Sequence, residues 1–177
     1  ALRCALGDGW AGSMLSTDIS DILFGTPAPG TTRVNLGVLS DDEVNIIVHG
    51  HEPPISMMIV AAAQSPEMIE YAKSKGAKGI QLAGMCCSAN EVLMRHGVPV
   101  AGNYLHQELA VITGAVDALV VDVQCEMQAL ANVAKCYHTK IITTDPRAKI
   151  EEGPSVMHIE FDEHHALDVA RQVLRTA

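Results

Sequence analysis

Val44-Asn-Ile-Ile-Val-His-Gly50 is a run of mainly β-branched residues closed by a glycine, with no alternation of apolar and polar side chains. Such a run reads as a strand buried on both faces, which requires helices above and below the sheet. Four further runs have the same character: KGIQLAG (78–84), ALVVDV (118–123), KIITT (140–144) and VMHIEF (156–161). Helical patterns separate them. Pro66 opens one that Gly76 stops, Ser88 or Asn90 opens the next, and that one closes at Gly97-Val98-Pro99. Further helices are expected over 104–113, 126–136 and 163–175. The β-α-β-α-β alternation predicts an α/β fold, a doubly wound, mainly parallel, Rossmann-like sheet with helices on both faces.

The strand ends carry the chemistry. His51 follows the first run, Cys86 and Cys87 follow the second, and Cys125 follows ALVVDVQ. The intervals from 51 to 87 and from 87 to 125 are each about one βαβ unit, so the fold sets them rather than a local loop motif. Open α/β sheets place their sites at the carboxyl ends of the strands, so one imidazole and two or three thiols should converge there. A thiolate-rich spot suits iron–sulfur, nickel or zinc chemistry.

Composition is compatible with this reading. The 177 residues, 48% hydrophobic, are enough for one domain with a real core. Aromatic residues make up only 3%, so Ala, Val, Ile, Leu and eight Met must fill it. A formal charge of −9 without a Lys/Arg cluster argues against nucleic acid or an acidic membrane as partner. No apolar run reaches the ~20 residues of a membrane span, and ALRCALGDGW is not a signal pattern, so a soluble, cytoplasmic protein is expected. Five cysteines, two of them adjacent, read as reduced thiols or metal ligands rather than a disulfide framework.

Residues 1–30 differ from the rest. Their apolar positions give broken helical spacing and end in GTPAPGTT, a turn and linker composition. Residues 1–30 are therefore expected to be a helical lead-in and linker from a preceding helical domain, and 31–177 the Rossmann-like ligand domain. A start at Ala1, inside a helical pattern, points to a piece of a longer chain.

The stretches IIVHGHEP, LAGMCCSANEVLMRHGVPVAGN, QELAVITGAVDALVVDVQC, CYHTKIITT and HIEFDEHHAL resemble, in order and spacing, the middle Rossmann-like domain of the nickel-dependent carbon monoxide dehydrogenase catalytic subunit. The resemblance runs through nearly the whole chain. It implies an anaerobic oxidoreductase that converts CO and water to CO2, two protons and two electrons at a nickel–iron–sulfur group, the C-cluster. It also implies a homodimeric parent, with [4Fe–4S] clusters and the remaining C-cluster ligands supplied by N- and C-terminal domains outside this chain. Position by position, His51 and Cys87 match ligands of the iron outside the cubane, and Cys125 matches a thiolate on a cubane iron. The isolated section is not expected to be fully active. Two positions depart from the family pattern: Met57 stands where HEP-x-x-S is usually followed by an acidic residue, and Glu126 follows Cys125 where an apolar residue is usual.

Other readings compete. A His at a strand end is commonly a hydrogen-bonded loop residue, and buried free cysteines are commonly small hydrophobes. Adjacent Cys86 and Cys87 point in different directions, so Cys86 is assigned to packing or support of the site; His49 is also assigned to support, and Cys4 and Cys136 to structure. Glu91 and Asp122 read as caps or hydrogen-bond partners rather than catalytic acids. A nucleotide-binding domain would need a glycine-rich first βα turn, whereas this one is HGHEPP and no GxxxxGK[ST] occurs. The remaining alternatives are a structural scaffold without functional metal and an iron–sulfur domain of the hybrid-cluster type.

Overall fold

The computed structural model describes residues 1–123 and 126–177. The five apolar runs form strands: Val44–His49 (β1), Ile80–Met85 (β2), Ala118–Val121 (β4), Lys140–Thr143 (β5) and Val156–His158 (β6). A short strand not anticipated from sequence, Val100–Gly102 (β3), completes the sheet. The spatial order is β3-β2-β1-β4-β5-β6 and every pairing is parallel. This is the doubly wound order with its topological switch point between β1 and β4.

Eight α-helices lie among the described residues: Leu2–Gly9 (α1), Ser16–Phe24 (α2), Pro53–Ala63 (α3), Pro66–Ser74 (α4), Cys86–His96 (α5), Gln107–Ile112 (α6), Leu130–Ala134 (α7) and Ala166–Thr176 (α8). Ile46 and Val48 face one apolar cluster that includes residues of α3, α4, α5 and α8. Ile47 faces the other, with Leu119 and Val121 of β4 and residues of α6 and α7. Neighbouring residues of one strand thus serve opposite cores, which explains the unbroken apolar run.

One helix was not anticipated, and three expectations change. Helix α3, PPISMMIVAAA, has no polar stripe because seven of its eleven residues are buried, so it lacks the amphipathic period that marks a surface helix. Helix α5 starts at Cys86, ahead of Ser88 and Asn90. The 126–136 pattern yields only the short α7, and the broken spacing of the first residues folds as continuous helix, with a π-helical segment Trp10–Leu15 joining α1 to α2. That long helix exposes Leu2, Leu6, Trp10, Met14, Ile19 and Ile22. It is tied to α5 by Arg95, whose guanidinium donates at 2.9 Å to Asp21 as well as to Glu91 of α5 itself, and just past its end the Ala28 N–H donates to the Met94 carbonyl of α5.

Candidate metal centre at the switch point

His49, Met85 and Val121 pair as the last rung of β1, β2 and β4. The residues that follow each of them therefore emerge together at the carboxyl edge: Gly50-His51, Cys86-Cys87 and Asp122-Val123. The first turn, His-Gly-His-Glu-Pro-Pro, can reverse sharply because Gly50 takes φ +131° and Pro53 opens α3 at a position where no N–H is required. The second strand passes directly into α5 through Cys86, a non-glycine residue with φ +59°.

Asp122 organises this edge. It is 1% exposed, and one carboxylate oxygen accepts the His51 N–H at 2.6 Å and the Val123 N–H, while the other accepts the Glu52 N–H at 3.0 Å and the Ser88 hydroxyl at 3.1 Å. Ser88 also donates its N–H to the Gly50 carbonyl at 2.8 Å, satisfying an orphan donor of the first turn of α5. One carboxylate thus joins the turn after β1, the start of α5 and the end of β4. Burial raises the Asp122 pKa above the usual carboxylate range, against the opposing effect of its hydrogen-bond donors. Asp122 and Glu91 both serve as hydrogen-bond partners, as expected, Glu91 accepting from Arg95 one turn along α5.

The His51 ring is oriented by its Nδ1, 3.3 Å from the Val123 carbonyl. A carbonyl only accepts, so Nδ1 carries the proton, and in the corresponding neutral tautomer the lone pair lies on Nε2, as metal ligation requires. Cys87 is exposed in the first turn of α5, at the positive end of the helix dipole. Cys86 is partly buried against the apolar cluster behind β2, in keeping with its expected packing role. Cys125, the third candidate ligand, lies outside the described residues. The Met127 N–H donates at 2.9 Å to the side-chain oxygen of fully buried Gln107, a loop anchor that sequence reading missed. Among the described residues no three His, Cys, Asp or Glu side chains are grouped to hold a metal ion. Cys4 and Cys136 are both exposed, so neither has the packing role expected for a structural cysteine. Met57 is a core residue at 2% exposure, with its sulfur 3.2 Å from His96 Nε2.

A cleft of about 540 Å³ opens beside His51, lined also by Glu52, Glu91, Arg95, Phe161 and Ile19 of α2. Burial, followed by the charges of Asp145 and Asp122, raises the Glu52 pKa, while Arg147 bonds both Glu52 and Asp145 and holds Asp145 down to about 2.

His49 is different in kind. It is 1% exposed, and neither ring nitrogen has a hydrogen-bond partner among the described residues. Burial, with a smaller contribution from the charge of His51, depresses its pKa to about 4. Because the unfolded chain binds this proton more readily, the stabilisation from a neutral His49 is complete above pH 6.5 and is lost as the pH falls through 4. At roughly 1.4 kcal/mol per pKa unit, the loss is about 3 kcal/mol. Urea unfolding at pH 7 and pH 4 should show the chain losing that much more stability on acidification than a His49→Leu variant. Equal acid sensitivity of the two would refute it.

No helix among the described residues is long and apolar enough to cross a membrane. A model of the Prismane/CO dehydrogenase family matches residues 1–177. Carbon monoxide dehydrogenase 1 of Methanosarcina mazei is 60% identical over 99% of this chain and 28% of its own length. The carbon monoxide dehydrogenase/acetyl-CoA synthase subunit beta of Moorella thermoacetica is 50% identical over 100% of this chain and 25% of its own length. Among solved structures, an as-isolated, Ni-free carbon monoxide dehydrogenase from Thermococcus sp. AM4 superposes with a TM-score of 0.90 at 55% identity, covering 98% of this chain and 27% of that one. The chain spans just over a quarter of the length of two Methanosarcina relatives.

Proposed function

Because the chain belongs to the Prismane/CO dehydrogenase family, we propose that it is the C-cluster-ligand section of a carbon monoxide dehydrogenase subunit, with His51, Cys87 and Cys125 as metal ligands. The observation that carries this reading is the Asp122 carboxylate, which ties the chain at His51, at Ser88 beside Cys87, and at the end of β4 to one point on the sheet edge. The donor set fits the group in kind: a thiol in the first turn of α5 and an imidazole whose Nδ1 proton is committed to a carbonyl are ligands for iron and nickel. A nickel–iron–sulfur cluster, when bound, supplies the Lewis acidity and two-electron chemistry that oxidise CO with water to CO2 and two protons.

The chain's own contribution is to hold and shield that group. His51 would bind through Nε2, with its plane fixed by the Val123 carbonyl. Asp122 keeps the turn after β1 in register with α5, and the cleft beside His51 is large enough to admit CO and water. In this reading residues 1–30 are a lead-in and 31–177 the ligand domain. The other C-cluster cysteines and the electron-relaying [4Fe–4S] clusters come from the parts of a cytoplasmic, homodimeric subunit beyond this section.

The test is anaerobic titration of the chain with cobalt(II), a spectroscopic substitute for iron. His51→Ala, Cys87→Ala and Cys125→Ala should each weaken binding by roughly tenfold or more, about one ligand bond at 1.4 kcal/mol per decade. Cys4→Ala and Cys136→Ala should bind as the unsubstituted chain does. Binding that ignores all three site substitutions would instead support a scaffold without functional metal.

A further inference from the structure

A buried imidazole without partners needs an explanation. A buried polar group left unpaired destabilises a fold, and an apolar side chain at His49 would avoid that cost. The position is central: His49 sits in the last rung beside Met85 and Val121, at the switch point of the sheet. By strand alternation it lies on the face of Ile47, against whose cluster Cys86 and Met127 pack, and both of these belong to the segments that carry the candidate ligands. The other polar groups of this edge are already engaged. Asp122 receives four donors, and His51 Nδ1 is held by Val123. A set of thiolate ligands offers acceptors only, and a neutral imidazole in apolar surroundings offers an N–H donor.

We propose that His49 is a positioning residue whose ring N–H donates a hydrogen bond to a metal-bound thiolate of the ligand set at this edge. This rests on the ligand reading above. The acceptor arrives with the metal, because a thiol becomes an anionic acceptor on coordination. The unloaded protein carries the unpaired imidazole, and the loaded protein gains from it.

The two states make opposite demands on His49→Leu, and this makes the proposal testable in the chain itself. Without metal, the leucine variant should melt at or above the temperature of the unsubstituted chain, since it removes an orphaned polar group. With cobalt(II), it should bind roughly tenfold more weakly, the loss of one hydrogen bond to a charged acceptor. Its sulfur-to-cobalt charge-transfer band should move to lower energy as the thiolate loses its donor. His49→Gln, which retains an N–H, should recover most of the affinity and the band position. A leucine variant with unchanged affinity and band would overturn the role of His49 while leaving the metal site intact. A leucine variant that is markedly less stable without metal would overturn it too, since the imidazole would then be making essential interactions in the unloaded protein. If the unsubstituted chain shows no thiolate–cobalt band, or one indifferent to Cys87→Ala, the ligand reading fails and takes this inference with it.

Discussion

Gly50→Ala is expected to dismantle the site edge. A Cβ built at residue 50 would stand 1.6 Å from an Asp122 carboxylate oxygen and 2.4 Å from its carboxyl carbon, and the residue's φ of +131° is one that alanine rarely adopts. Either the turn or the carboxylate must move, and both are bonded to the same neighbours. Loss of several charge-assisted hydrogen bonds in addition to backbone strain should cost on the order of 4 kcal/mol, enough to lower the melting temperature by roughly 10 °C in a domain of this size. Cobalt binding should fall with it. A calorimetric scan showing less than a few degrees of change would mean that the turn is more compliant than its geometry indicates.

Asp122→Asn is expected to have the next largest effect. The carboxylate accepts from three backbone N–H groups and one hydroxyl, whereas an amide presents two donors where an acceptor is needed. Leaving two buried donors facing another donor should destabilise the chain by about 2–4 kcal/mol. Equilibrium urea unfolding at pH 7 measures it. Ser88→Ala, which removes a single bond, should cost about 1 kcal/mol, so a similar loss from both variants would show that the backbone donors contribute nothing.

The strands were legible because parallel strands covered on both faces must be apolar throughout, and ALVV and IIVH have no other economical explanation. Helix α3 was hidden by the same physics: buried on most sides, it has no stripe, and its two prolines look like a loop until one of them is placed at the first helical position. Strand β3 contributes three residues after Pro99, too short for any pattern. At the site, the positions of His51 and Cys87 follow from strand ends alone. The hub role of Asp122 does not, because a single Asp after an apolar run gives no sign that four donors from three segments will meet it. The isolation of His49 was equally invisible, since alternation places a residue on a face but does not say whether a polar partner waits there. Gln107 left no local signal either; its partner, Met127, is across a connection.

The register of β1 also sets an order of assembly. Its rung with β2 joins Ile46 to Leu82, whereas its rung with β4 joins the same Ile46 to Ala118, after two further crossovers have been laid down. Contacts so distant in sequence form late, because the chain must first forgo the freedom of the intervening loop. During synthesis, His51 and Cys87 can face one another well before β4 arrives with Asp122 to fix them. The carboxylate that joins these segments therefore arrives as a latch on strands already paired, with β5 and β6 still to be added.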